Sequence, residues 1–178
     1  MYNTEQESFW AGDAGAQYVE RTRSDAMFRA KINFFSKILS RTHNVKSVIE
    51  YGANIGYNLR ALQNLNPELN LAGVEINPTA HKELSEIPGV NAINDSILEF
   101  QSDTKYDLTL IKTVLIHINP EHLPKVYDSL YANSNRYICV AEYYNPFPTK
   151  ITYRDKEDLL FKRDFAGDMM DRFSDLRL

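Results

Sequence analysis

Cysteine is nearly missing from this 178-residue chain, and Cys139 is the only one. A single thiol excludes an internal disulfide framework and fits a reducing compartment. It lies in the apolar run RYICVAE, where a small core residue is the simplest reading. Positive charge is not in excess either. The formal net charge is -4, which argues against a general nucleic-acid-binding surface and leaves room only for a local basic patch. No run approaches the roughly 18 apolar residues of a membrane helix. The start, MYNTEQESFW, is polar and has no signal-peptide core. Repeats, low-complexity segments and dividing linkers are absent too. What remains is a protein expected to be soluble and cytoplasmic, with no nucleic-acid or membrane partner and no resident metal.

What is present is the ordinary globular mixture, 43% apolar and 25% charged, in a length that suits one domain with one sizeable core. Structure alternates along it. Phe28, Ile32, Phe35 and Leu39 stand at helical spacing within 25–40. NVKSVIEY follows as a short β-branched strand ending at Gly52. Ile55, Leu59 and Leu62 mark a helix that stops before Pro67. LNLAGVEI is the next strand. In NPTAHKELSEIPG, Asn77 caps a helix, Pro78 opens it, Ala80, Leu84 and Ile87 form its buried stripe, and Pro88-Gly89 stops it. GVNAIN is a strand and SILEF a short helix. YDLTLIKTVLI holds a strand over 106–111. Asn119-Pro120 cap a helix with Leu123, Val126, Tyr127 and Leu130 on one face. RYICVAEYY is a fifth strand, and a last helix is expected over about 156–173. Strands separated by helices in this way predict a Rossmann-like, doubly wound, mostly parallel sheet with helices on both faces. Ligands of such sheets bind beyond the carboxyl ends of the strands. The loops to inspect are therefore 51–57, 75–78, 94–97, 112–118 and 142–150.

The first of these, EYGANIG, is no nucleoside triphosphate loop, because no Lys-Ser/Thr follows its glycines. Nor is it G-x-G-x-x-G. Gly52 and Gly56 are spaced G-x-x-x-G, with Asn54 where a dinucleotide loop keeps a glycine for the pyrophosphate. Glu50 would repel a pyrophosphate as well. A ligand with a cationic centre and an amino acid end suits this loop better. A tight strand–helix turn with Glu50 in a capping role is the plainer account. Glu75 ends the second strand, where a carboxylate can accept from both ribose hydroxyls. Asp95 follows the third strand, where it can accept from an adenine amino group while the Ser96 N–H meets a ring nitrogen. Capping of a short helix by Asp95 is the competing account.

These residues resemble the class I S-adenosylmethionine-dependent methyltransferases. VIEYGANIG is similar to their first glycine motif, GVEIN to the acidic second strand, NDSI to the third loop, and YDLTLIKTVLIHI to the fourth strand and its sequel. The resemblance implies S-adenosyl-L-methionine as cofactor, with S-adenosyl-L-homocysteine as product. It implies that Gly52, Ala53 and Gly56 wrap the methionine part, with Glu50 and Asn54 in the same loop. Glu75 and Ile76 would hold the ribose, Asp95, Ser96 and Ile97 would face the adenine, and Lys112, Thr113 and Val114 would line the cleft beside the sulfonium. A narrower resemblance covers the two ends. FWAGDAGAQYVERTR and EYYNPFPTKITYRDKEDLLFKRDFAGDMMDRFSDLRL look like the pseudaminic acid biosynthesis-associated methylases, which implies a sugar-like small-molecule acceptor linked to surface glycans.

Further expectations attach to that reading. Residues 1–24, with Gly12 and Gly15, look like a lid over the core at 25–178. In it Trp10 and Tyr18 would cover the cofactor and Arg21 would pair with its methionine carboxylate. Surface packing is the alternative. His117 is the candidate general base for a hydroxyl acceptor, against a packing or capping role. Glu142, Tyr143 and Tyr144 would contact the acceptor. Lys150, Arg154, Lys162 and Arg163 would receive an anionic sugar, unless they form a solvated helix face. Clusters such as Phe9, Trp10, Tyr143 and Phe147 serve either packing or a ligand cleft. The usual C-terminal β-hairpin of the class is expected to be missing, which exposes the edge of the fifth strand, to be covered by a second copy or by the N-terminal segment. A non-catalytic relative that binds the cofactor and acts through assembly is the second function class. An NAD-dependent oxidoreductase is disfavoured by Asn54 and Glu50.

Overall fold

The computed structural model describes residues 3–22, 24–154 and 156–178, without the side chains of Arg21 and Thr22. Five parallel strands make the central sheet: β1 (Ser47–Tyr51), β2 (Asn70–Val74), β3 (Val90–Ile93), β4 (Tyr106–Lys112) and β5 (Ser134–Ala141). Their spatial order is β3-β2-β1-β4-β5. The chain runs outward from β1 to β3 and then crosses to the other side for β4 and β5. That reversal opens a crevice between the carboxyl ends of β1 and β4.

Helices cover both faces, as the two-residue period of the strands requires. Ile49, Tyr51, Val74 and Ile111 point to one layer, packed by α6 (Leu123–Ala132) through Leu123, Val126 and Leu130 and by α7 (Phe165–Arg172) through Phe165 and Met169. Val48, Leu71, Leu108 and Leu110 point to the other. That layer is filled by Phe35 of α3 (Asp25–Leu39), by Leu59 and Leu62 of α4 (Tyr57–Leu65) and by Leu84 of α5 (Pro78–Ser85). Each fully buried side chain of this kind contributes about 1.5–3 kcal/mol. The phenol of Tyr51, fully buried in this layer, is satisfied. The Tyr51 hydroxyl meets Ser129 Oγ at 3.0 Å and accepts from Asn133 Nδ2 at 2.7 Å.

The predicted architecture is present, with three local differences. Residues 96–100 form an isolated turn, not a helix, because Ser96 Oγ takes the Leu98 N–H at 3.1 Å and only one further turn of backbone bonds follows. The expected helix over 156–173 begins only at Phe165. Upstream, Leu159 and Phe161 are buried at a two-residue spacing, and Phe161–Lys162 (β7) pairs antiparallel with Thr149–Lys150 (β6). Asp164 then starts α7 by accepting from the Gly167 N–H at 2.8 Å. The fifth strand ends at Ala141, before Tyr143 and Tyr144. The pair β6–β7 stands apart from the main sheet, and among the described residues β5 has no strand on its outer side. No described helix is long and apolar enough to cross a membrane.

The described part of the N-terminal segment is two short helices that meet at Gly12. It consists of α1 (Glu5–Ala11) and α2 (Asp13–Thr22). Thr4 and Glu7 form a reciprocal capping box that starts α1.

Candidate active site

A cavity of about 540 Å³ opens at the crevice, a size that suits a nucleoside-bearing ligand. Its floor and walls are the loops after β1, β2, β3 and β4. Its roof is α1 and α2 on one side and the 143–162 segment on the other.

The first loop is built from three left-handed residues, Gly52 (φ 74°), Asn54 (φ 50°) and Gly56 (φ 75°). Asparagine tolerates that region far better than other side chains. Its own Oδ1 accepts from the Ile55 N–H at 2.8 Å, and its backbone N–H donates to Glu75 Oε2 at 2.7 Å. The position where a third glycine could stand therefore ties the first loop to the second. Gly52, Ala53 and Asn54 line the cavity. Gly56 does not. A Cβ there would lie 2.3 Å from Ile87 Cδ1 and 2.8 Å from Leu84 Cδ1, so Gly56 serves loop–helix packing rather than ligand contact.

Glu50 also stands behind the wall. It is 1% exposed, and Asn58 Nδ2 donates to its Oε1 at 2.5 Å. Asn58 Oδ1 in turn accepts from Lys31 Nζ at 2.8 Å. Its other oxygen, Oε2, has no partner. Burial pushes this carboxyl up to about 7, against the Asn58 hydrogen bond and the pull of Lys31 and Lys112. Lys31 and Asn58 line the cavity but carried no sequence signal beyond a polar residue on the buried face of α4.

Glu75 is 8% exposed and lines the cavity with Ile76. Its two oxygens accept from Asn54 N–H and, at 2.8 Å, from Asn77 N–H. Burial raises its pKa against these backbone bonds. Asn77 holds the roof. Its Nδ2 donates to the carbonyls of Trp10 at 2.9 Å and Gly12 at 3.1 Å, while its Oδ1 caps α5. In the third loop Ser96 and Ile97 face the cavity, but Asp95 does not: its Oδ1 accepts from the Ser96 N–H at 2.8 Å. The Ser96 hydroxyl donates to Glu7 Oε1. Glu7, which the sequence reading missed, is buried on α1, where its Oε2 also accepts from Asn3 and Thr4 N–H at 2.9 Å each. Trp10 and Tyr18 line the cavity from the roof, and the Arg21 side chain lies outside the described residues.

Lys112, Thr113 and Val114 line the far wall. Glu142 does not reach the cavity. Its Oε1 accepts from Val114 N–H at 2.8 Å and Leu115 N–H at 2.9 Å, so it caps the short 3₁₀ turn Leu115–His117. Oε2 is buried without a partner, and burial pushes the group up to about 7. His117 at the end of that turn lines the cavity. Its Nδ1 lies 2.7 Å from the Leu159 carbonyl, which only accepts, so Nδ1 carries the proton and Nε2 keeps its lone pair. Burial lowers its pKa. The Trp10 and Tyr153 rings lie 4.5 and 5.5 Å away. Tyr143 and Lys162 also line the cavity, whereas Tyr144 is 65% exposed outside it. Arg163 is held by Asp168, with Nη2 to Oδ1 at 3.0 Å, and Lys150 pairs with Asp158. Among the described residues no group of three metal-ligating side chains is assembled.

The buried carboxyls make stability depend on pH in a definite sense. Glu142 shifts from its ordinary 4.5 to about 7. Between those values the folded chain holds a proton that the unfolded chain has released, so stability falls as pH rises through that window. His117 acts oppositely: its lowered pKa stabilises the fold above its ordinary 6.5, and that contribution is lost as pH falls. Glu142→Gln keeps the Oε1 acceptor and removes the titration. The drop in melting temperature between about pH 5 and about pH 8 is expected to shrink in this variant. An unchanged drop would mean that Glu142 does not titrate there.

The strand order β3-β2-β1-β4-β5, with helices on both faces and a cavity at the switch point, defines a Rossmann-like fold, one also found in solved methyltransferase structures. Among solved structures, the mitomycin 7-O-methyltransferase MmcR is similar with a TM-score of 0.70 at 11% identity, over 95% of this chain and 54% of its own. DhpI in its SAH complex gives 0.61 at 15% identity, over 95% of this chain and 84% of its own. The plantazolicin methyltransferase BpumL with SAH gives 0.58 at 17% identity, over 73% of this chain and 53% of its own. The chain thus spans about half the length of the BpumL structures it matches. At such identities the likeness is one of fold. No family model matches the chain, and no curated protein matches its sequence.

Proposed function

We propose that this chain is an S-adenosylmethionine-dependent methyltransferase acting on a small, sugar-like acceptor. The observation that carries the reading is Glu75, a buried carboxylate at the end of β2 whose oxygens are aligned by Asn54 and Asn77 within a switch-point cavity. One further feature of the site fits the cofactor. Glu50 leaves a buried oxygen without a partner behind the first loop, and acid on this side favours a cationic ligand. Gly52–Asn54, Glu75, Ile76, Ser96, Ile97, Lys112–Val114, Trp10 and Tyr18 would hold the cofactor. When bound, it supplies an electrophilic methyl group on a sulfonium. Titration calorimetry with S-adenosylmethionine, S-adenosylhomocysteine and NAD tests this, and tighter binding of NAD would overturn it.

The chain's own residues then do the rest. The roof helices and the 143–162 segment exclude water and orient the acceptor. His117 Nε2 accepts the proton of an acceptor hydroxyl, its partner nitrogen being set by Leu159. His117→Gln is expected to lower the methyl-transfer rate about 10²- to 10⁴-fold, with affinity for S-adenosylhomocysteine unchanged within about twofold. A rate close to wild type would remove His117 from the chemistry. If wild type binds the cofactor and transfers nothing to any acceptor, the non-catalytic relative takes precedence.

Two donors without partners favour an acidic sugar. Trp10 Nε1 is buried and has no hydrogen-bond partner among the described residues. Of the basic residues 150, 154, 162 and 163, Lys162 alone lines the cavity, its Nζ lying over the Tyr143 ring at 5.4 Å with no counter-ion among the described residues. Arg154 packs on the Phe9 and Tyr153 rings instead. This fits the resemblance to pseudaminic acid biosynthesis-associated methylases. Labelled methyl transfer to a panel of sugars, sugar acids and sugar nucleotides tests it, and activity confined to neutral acceptors would count against it.

A further inference from the structure

Two neighbouring residues of α1 reach to opposite sides of the cavity. Glu7 holds the Ser96 hydroxyl in the loop after β3. Gln6, 5% exposed, sends its Nε2 to the Asp158 carbonyl at 2.7 Å, across 152 positions of chain. The next carbonyl along, that of Leu159, is the one His117 Nδ1 uses. The Leu159 side chain is fully buried. This short bend of the chain is therefore pinned by α1 at one carbonyl and read by the His117 ring at the next. A second tie between the same partners, Lys156 Nζ to Glu5 at 3.1 Å, is exposed, and such pairs contribute little.

We propose that Gln6 is a positioning residue for His117: by holding the Asp158 carbonyl from α1, it keeps the Leu159 carbonyl where it fixes the Nδ1–H tautomer and leaves Nε2 free toward the cavity. The proposal rests on the methyltransferase reading for its purpose, since a fixed tautomer matters only if Nε2 takes a proton. The contact itself stands without any ligand. A merely structural Gln6 would steady α1 and leave the ring's tautomer alone. A positioning Gln6 sets which nitrogen carries the proton, as the oriented partner of a general base does.

Long-range ¹H–¹⁵N correlation spectra of the full-length, ligand-free chain report that tautomer directly, with the His117 signals assigned through His117→Gln. Wild type is expected to show one tautomer, protonated at Nδ1. Gln6→Leu and the near-isosteric Gln6→Glu, which both lack the donor, are expected to give averaged nitrogen shifts. Lys156→Met, which removes the exposed tie and the Nζ contact with the Phe9 ring but leaves the Gln6 bond in place, is expected to match wild type. A retained Nδ1–H tautomer in both Gln6 variants would overturn the proposal. So would equal perturbation by Lys156→Met, because the cause would then be general loosening of α1. Calorimetry with S-adenosylhomocysteine on the same samples separates the two readings. A wild type that fails to bind it sinks the methyltransferase assignment, whatever the tautomer shows.

Discussion

Glu75→Ala is expected to weaken binding of S-adenosylhomocysteine by at least about 100-fold, or about 2.7 kcal/mol. The carboxylate does two things at once. It offers lone pairs to the cavity, and its two oxygens hold the N–H groups of Asn54 and Asn77. Hydrogen bonds to a charged group are worth about 1.5–3 kcal/mol each, so losing ribose contacts alone would reach the expected figure. The truncation also leaves two N–H groups without their acceptor, costing about 1–3 kcal/mol apiece if they stay buried. The melting temperature is therefore expected to fall as well. Glu75→Gln separates the two effects. One side-chain oxygen still accepts, but the new amide must turn its own N–H₂ toward a backbone N–H. Affinity between those of wild type and Glu75→Ala is expected for it. Calorimetry and thermal melts on the three proteins check this, and wild-type affinity in Glu75→Ala would remove Glu75 from the site.

Gly15→Ala is expected to lift the roof. By helix propensity the change should stabilise α2 by up to about 1 kcal/mol. The packing reverses the sign. A Cβ at Gly15 would lie 1.9 Å from the Trp10 carbonyl oxygen and 2.7 Å from Asn77 Nδ2. These are the groups whose hydrogen bond, at 2.9 Å, ties the α1–α2 corner to α5. Backbone cannot give way by a rotamer change, so α1 must shift. Overpacking of this kind costs about 1–3 kcal/mol, enough for a loss of about tenfold or more in ligand affinity. Trp10 is the only tryptophan, which makes the change visible. Its emission is expected to move to longer wavelength as the indole leaves His117 and Tyr18, which it touches at 4.5 and 5.6 Å between ring centroids. An unchanged emission maximum together with unchanged affinity would show that the roof tolerates the methyl group.

Both predictions depend on features of different legibility. Glu75 was visible in GVEIN because a carboxylate at a strand end is a local feature with a local reason. Gly15 was visible only as a glycine. That its missing Cβ faces a carbonyl five residues back and an amide on α5 is a fact of packing. The same division runs through the other loops. Gly52 and Gly56 look alike in EYGANIG, yet one faces the cavity and the other faces Ile87. Asp95 and Ser96 are neighbours, yet Asp95 bonds its neighbour's N–H while Ser96 faces the cavity and bonds Glu7. Glu142 directly follows the fifth strand, where a site residue is expected, but its carboxylate turns back to cap the turn that carries His117. The expected helix over 156–173 failed at its start because 157–159 bend, Leu159 and Phe161 are buried two residues apart, and Phe161–Lys162 pairs as a strand.

Local patterns in the chain were enough for the alternation of strands and helices, the tight glycine turn after β1 and the acidic end of β2. Each of these follows from a short-range cause: side-chain period, φ preference or a strand terminus. Packing settled the rest: which carboxylates line the cavity and which support its walls, that Lys31 bonds Asn58 and Asn58 bonds Glu50, and that α1 lies over the site with Gln6 at Asp158 and Glu7 at Ser96. Those contacts join residues from 8 to 152 positions apart. Their partners are chosen by burial, since a polar group removed from water takes whichever donor or acceptor the packed layers bring to it. No local pattern in the chain encodes that choice.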